Sequence, residues 1–213
     1  MTSCCNPRGC DRFFGPRFAR RMATRYRKRG LDKAAQRMVE FLEERGIEGA
    51  TVLEVGGGIG EIQIELLRRG AGRSVNLELS QAYDEDAAIL LREAGLEEKA
   101  ERRLHDIADD PDGVERADVV VLHRVVCCYP DYERLLGAAA EHARRLLVFS
   151  YPPRNSASRL AVRLQNLVFG ALGKEFRTFA HPPAAMLAVL GERGLRPTFA
   201  HRGLVWRVAG LER

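Results

Sequence analysis

The chain has no apolar run approaching the ~18 residues that a membrane-crossing helix requires. Its first residues also lack the uncharged apolar stretch of a secretory signal. The cytoplasm is therefore the expected compartment, and the five cysteines are expected as thiols. Acids are scarce at the start. Residues 1–30 hold nine Arg and Lys against Asp11 alone, a net +8; the whole chain carries +5, so the other 183 residues sum to −3. The basic character belongs to an arm, which suits an anionic substrate, a membrane surface or nucleic acid. Cys4, Cys5 and Cys10 have no fourth Cys or His nearby, and a structural zinc takes four ligands, so no metal is expected. Internal repeats and low-complexity linkers are also missing.

What is there centres on Val52–Glu61, where apolar residues and Glu54 lead into Gly56, Gly57, Gly58 and Gly60. An apolar and charged run to Arg69 follows at once, which reads as strand, tight turn, helix. Glycine permits positive φ and close approach of a ligand, and the following helix start offers unpaired N–H groups. Two familiar nucleotide loops fail on spacing. The third glycine of a dinucleotide fingerprint would fall at Glu61, whose charge opposes a pyrophosphate, and no lysine follows Gly60 as a P-loop demands.

The rest alternates strand and helix. An amphipathic helix with Phe14, Phe18, Met22 and Tyr26 on one face is expected to end at Gly30. Asp32 is placed to cap the next helix. Strands are expected at 51–55, 73–79, 101–107, 118–122 and 146–150. Residues 154–182 form an insertion suited to a substrate lid, and 195–201 with 204–209 form a hairpin about Arg202-Gly203. Glu78 ends the second strand 18 residues past Gly60, placed to accept the hydroxyls of a bound ribose; a solvated surface acid is the plainer reading. His123 and Tyr129 follow a buried parallel strand, at the sheet edge where ligands bind.

The order acid-x-Gly-x-Gly-x-Gly from Glu54 to Gly60 resembles motif I of the class I S-adenosylmethionine (SAM) methyltransferases. That resemblance covers about residues 32–213 and implies an α/β, three-layer Rossmann-like fold: a mostly parallel seven-stranded sheet closing in a C-terminal β-hairpin. Residues 1–31 lie outside it as a basic, cysteine-bearing arm, expected from its charge and apolar pattern to form a lid, with a loose tail as the alternative. The resemblance implies SAM as cofactor, S-adenosyl-L-homocysteine as product, and Glu54, Gly56, Gly58, Gly60, Glu78, Leu79, Asp106, Ile107 and His123 as cofactor-binding residues. Asp106 would take the adenine amino group, with Ile107 against the ring. His123 and Tyr129 are the candidate bases, a packed histidine being the alternative for His123. Docked over the cavity, the arm would bring Tyr26 to the methionine end of the cofactor. Its cations are expected to dock beside Glu54, Glu61 and Glu78. The runs Cys127–Tyr132 and Phe149–Pro152 are similar to the magnesium-protoporphyrin O-methyltransferase branch, although Arg124 stands where that branch tends to have Asp. Tyr151-Pro152-Pro153 is a poor match to the Asn/Asp-Pro-Pro-Tyr motif of amino-group enzymes. The expected partner is a small, anionic acceptor and the expected reaction O-methylation. A nucleic-acid methyltransferase using the arm, or a non-catalytic SAM-binding regulator, are the alternatives.

Overall fold

The computed structural model describes residues 13–213. Cys4, Cys5 and Cys10 lie outside the described residues. Helix α1 (Pro16–Arg29) starts on a proline, stops at Gly30 and buries Ala19 and Ala23. Helix α2 (Lys33–Glu44) is capped as expected: Asp32 accepts the Ala34 and Ala35 amides. Then come β1 (Thr51–Val55), α3 (Glu61–Arg68), β2 (Arg73–Glu78), α4 (Asp84–Ala94), β3 (Ala100–Leu104), β4 (Ala117–Leu122), α5 (Tyr132–His142), β5 (Ala143–Tyr151), α6 (Ser156–Ala171), α7 (Pro183–Gly191), β6 (Arg196–Arg202) and β7 (Arg207–Glu212).

The seven strands form one sheet in the order β3-β2-β1-β4-β5-β7-β6. The first five are parallel, and β7 enters antiparallel between β5 and β6. This is the expected three-layer α/β architecture with its closing hairpin. The hairpin itself differs in register. Residues 203–206 form the connection, so Trp206 sits in it and β7 starts three residues later than the pattern suggested. Strand β3 also stops at Leu104, leaving His105, Asp106 and Ile107 in the loop beyond it.

Both sheet faces are covered, which is why the central strands read as continuous apolar runs. One face packs Leu53, Val120, Leu122 and Phe149 against α5 and α7. The other packs Val52, Val119, Val121 and Val148 against α2 and α3. A third cluster joins α1 to the domain through Ala19, Ala23, Ile64, Leu90 and Leu91. Small residues thus let α1 lie close, while Phe14, Met22 and Tyr26 flank the contact half-buried.

Strand order reverses between β1 and β4, so their following loops diverge and leave a crevice at the carboxyl edge. Everything below concerns that edge.

Candidate functional site

The carboxyl ends of β1, β2, β3 and β4 converge on one cleft with about 1070 Å³ of empty space, its open mouth included. The glycine loop forms its floor. Gly56 and Gly58 have φ of 65° and 56°, conformations that side chains avoid. A Cβ on Gly56 would lie 2.5 Å from Val125 Cγ2, and one on Gly57 would lie 2.6 Å from both Asn76 Nδ2 and Glu54 Cδ. Gly60 is absent from the lining; with φ 77° it turns the chain into α3.

Behind the loop Glu54 joins a buried polar set, Gln63, Ser74 and Asn76, that the sequence pattern had not singled out. Glu54 Oε2 accepts the Gln63 amide at 3.2 Å, and Ser74 Oγ donates to Gln63 Oε1 at 3.0 Å. Asn76 is fully buried and its side-chain amide has no hydrogen-bond partner among the described residues. Polar Ser74 and Asn76 alternating within apolar β2 were the available signal. Burial, with the charge of Glu61 nearby, pushes the Glu54 carboxyl well above the usual range, and burial raises Glu61 too.

Glu78 anchors the cleft's second side. One carboxylate oxygen accepts the Gly58 amide at 2.9 Å, and the other accepts those of Leu79 and Ser80 at 2.8 and 3.1 Å. Its orientation is therefore fixed before any ligand arrives. Leu79, Asp106 and Ile107 line the same cleft. Asp106 accepts the Ala108 amide at 3.0 Å and the Tyr129 hydroxyl at 3.1 Å, and burial raises its carboxyl.

His123 directly follows β4 and also lines the cleft. Its Nδ1 is 3.0 Å from Ser150 Oγ, and its Nε2 is 3.4 Å from Asp32 Oδ2 without hydrogen-bond alignment. Both ring nitrogens are thus turned toward protein groups. Arg124 follows with φ 61°, the one non-glycine residue at positive φ among those described. This turn lets its guanidinium bond Asp32 while lying 5.1 Å over the Trp206 ring. Asp32 therefore caps α2 and also holds the β4 loop, across 92 residues of sequence. Burial opposes its charge, yet His123, the Ala35 amide and Arg124 together hold its carboxyl far below the usual range. A depressed carboxyl gives stability that is present above its unfolded pKa of ~4 and lost as pH falls further. Asp32→Asn keeps a good helix cap and removes the charge. It should cost about 1–3 kcal/mol at neutral pH and flatten the acid side of a stability–pH profile measured by denaturant unfolding. An unchanged acid side would mean that Asp32 only caps.

The cleft is walled by Phe14, Phe18 and Met22 of the α1 segment and by Phe176. Phe13 stacks on Phe176 at 4.3 Å and meets Phe169 edge-on at 5.0 Å, joining α1 to the end of α6. The Phe179 amide donates to Cys127 O at 2.7 Å, and His181 Nε2 lies 2.9 Å from Tyr129 O, so the stretch after α6 folds back over the β4 loop. Cys128, beside Cys127 with sulfurs 3.6 Å apart, faces the cleft.

Two expectations need correction. Tyr26 does not line the cleft: its hydroxyl donates to Glu65 at 2.7 Å, on the flank of α3. The cations of α1 pair with Glu85, Glu93 and Asp32, not with Glu54, Glu61 or Glu78, which face inward.

The cleft's charged lining comprises Glu54, Glu61, Glu78 and Asp106 against Arg124, itself bound to Asp32, and it includes no lysine. Such a set of acceptors fits a cationic nucleoside better than a phosphate. A family model described as a methyltransferase domain matches residues 23–205. The chain belongs to that family. Its fold is that of the class I SAM-dependent methyltransferases. Magnesium protoporphyrin IX methyltransferase from Synechocystis, crystallised with S-adenosylhomocysteine, shares 19% identity over 84% of this methyltransferase and 81% of that chain, with a TM-score of 0.69. An O-methyltransferase family 2 protein from Planctomyces limnophilus, in complex with apigenin, shares 20% identity over 92% of this chain and 61% of its own, with a TM-score of 0.68. Geranyl diphosphate C-methyltransferase from Streptomyces coelicolor shares 16% over 84% and 79%, with a TM-score of 0.65. No curated protein matches this methyltransferase significantly in sequence. Among the described residues no helix is long and apolar enough to cross a membrane, and no cluster of three or more metal-ligating side chains occurs.

Proposed function

We propose that this methyltransferase uses SAM to methylate an oxyanion, a carboxylate first of all, on a small anionic acceptor. The observation that carries the cofactor reading is the acid-lined, lysine-free cleft at the carboxyl edge, with Glu78 already held against the glycine loop; the acceptor class rests on the partnered state of His123 and Tyr129. When bound, SAM supplies a methyl group on a cationic sulfonium. In this reading Glu78 accepts the ribose hydroxyls and Asp106 accepts the adenine amino group. Leu79 and Ile107 pack on the base, and Glu54 and Glu61 offset the cation. Phe14, Phe18, Met22 and Phe176 keep water out, and alignment of donor and acceptor contributes about 7–11 kcal/mol. Arg124, which shares its charge with Asp32, is the lining's one guanidinium to meet an acceptor's anionic group.

Neither expected base offers a free basic atom to the cleft. The His123 nitrogens face Ser150 and Asp32, and the Tyr129 hydroxyl is spent on Asp106. An acceptor that arrives ionised needs no base, which favours a carboxylate over an alcohol. His123 then becomes a positioning residue. The test is transfer from methyl-tritiated SAM to a panel of carboxylates, phenols and amines. Label released as methanol by mild alkali, as from a methyl ester, is the expected result. Alkali-stable label on phenols or amines would overturn it.

The raised carboxyls of Glu54 and Glu61 also set a pH dependence. With folded values above the unfolded pKa of ~4.3, they favour folding most below that value, and the contribution declines as pH rises through the folded values. A cationic ligand prefers them ionised, so its binding releases protons. SAM affinity should therefore rise with pH, and more steeply than that of uncharged-sulfur S-adenosylhomocysteine. Calorimetry in buffers of different ionisation enthalpy reads the proton release; none with SAM would exclude these two acids from the ligand's surroundings.

A further inference from the structure

Helix α6 leaves its most apolar side uncovered. Leu160, Leu164, Leu167 and Val168 are 57, 54, 69 and 55% exposed, and Leu172, which caps the helix, is 64% exposed. At 100° per residue these positions fall on one face, with Phe169, the buried residue of the helix, opposite. Arg159 and Arg163 lie along one border of that stripe. From Pro152 to Lys174 the chain carries Arg154, Arg159, Arg163 and Lys174 and no acid. Soluble surfaces rarely expose a contiguous stripe of this kind without a partner for it.

Two neighbouring features share its character. The hairpin connection exposes Leu204 and Val205 almost fully, at 97 and 68%. It stands at the same sheet edge as the start of α6, because Arg207 pairs with Tyr151 at the end of β5. Phe13, just before α1, meets Phe169 of α6 and Phe176 beyond it, and the outer side of α1 presents Arg17, Arg20, Arg21, Arg25, Lys28 and Arg29 along a shallow groove.

We infer that α6, with the hairpin tip and the cationic side of α1, docks this methyltransferase on an anionic lipid bilayer. A basic amphipathic helix lying in the interface buries its apolar stripe among acyl chains and places its arginines at the headgroups. Charge decides between this and self-association. A two-fold contact between copies would press one all-cation border against its like, whereas an anionic membrane satisfies both the stripe and the cations. Nucleic acid would satisfy the cations and leave the leucines in water. The inference is independent of which acceptor is methylated.

The experiment is co-sedimentation of the full chain with phosphatidylcholine vesicles, with and without phosphatidylglycerol, at low and physiological salt. Binding to the anionic vesicles, weakened by salt and near absent on the neutral ones, is expected. Leu164→Glu/Leu167→Glu should lower the partition coefficient at least about tenfold, and Arg159→Glu/Arg163→Glu should act chiefly at low salt. Circular dichroism and SAM calorimetry on both variants check that fold and cleft are intact; failure of SAM to bind any form would count against the proposed function alone. Wild-type protein that stays in the supernatant, or a leucine variant that sediments as before, overturns the inference. So does a dimer seen by sedimentation velocity that the leucine variant abolishes.

Discussion

Glu78→Ala is expected to weaken SAM and S-adenosylhomocysteine binding alike, by about a hundredfold or more in a calorimetric titration. Two ribose hydroxyls would lose a charged acceptor, and hydrogen bonds to charged groups contribute about 1.5–3 kcal/mol each. A further loss comes from the protein itself. The Gly58, Leu79 and Ser80 amides all donate to this carboxylate, so its removal frees the glycine loop that forms the cleft floor. Glu78→Gln keeps one acceptor oxygen and should fall between wild type and alanine. Equal loss for both nucleosides is the diagnostic, since they share the ribose and differ at sulfur. Affinity unchanged in Glu78→Ala would remove the ribose assignment.

Gly56→Val should be the most damaging single change in the loop. Its Cβ would fall 2.5 Å from Val125 Cγ2, and a β-branched residue tolerates φ near 65° poorly. Strain and overpacking together should cost about 4 kcal/mol, or roughly 10 °C in Tm for a chain of this size, with ligand binding lost as well. Gly58→Ala is the informative contrast. Its φ is also positive, but the nearest side-chain atom lies 3.6 Å away, on Tyr83. It should cost only about 1 kcal/mol in the free protein. A thermal melt showing Gly58→Ala as the worse variant would contradict this account of the loop.

Much of the cleft was legible locally. Glu54, Gly56, Gly58, Glu78, Asp106 and Ile107 belong to strand ends and the loops just beyond them, and a strand end is announced by composition shifts within a few residues. The parts that were not legible depend on contacts between distant segments. Asp32 reads as a helix cap, which it is; that its second oxygen holds Arg124 needs the three-dimensional path of β4. Phe176 and Phe13 gave no signal of stacking across the cleft mouth. Tyr26 shows the limit of periodicity. It shares a helical face with Phe18 as the four-residue spacing predicts, while Phe14 precedes the helix; at 1.5 Å per residue Tyr26 lies about 12 Å along the axis from Phe18. The helix has left the cleft by then and reached Glu65. The hairpin shifted because Arg202-Gly203 resembles a tight turn while the connection is longer, leaving Trp206 beside Arg124 instead of within β7.

That placement of β7 has a consequence for folding kinetics. Strand β6 pairs with β7 alone, a contact of short sequence separation, while β7 must also find β5 some 60 residues away, as in Phe149 with Ala209. Short-range hairpins close in microseconds, whereas distant pairings carry the loop-closure cost and form slowly. The hairpin should therefore form early and dock late, bringing Trp206 over Arg124 only when it docks. Trp206 is the chain's single tryptophan. During refolding its fluorescence should thus change in the same phase in which ligand binding returns, after the far-ultraviolet dichroism has already risen.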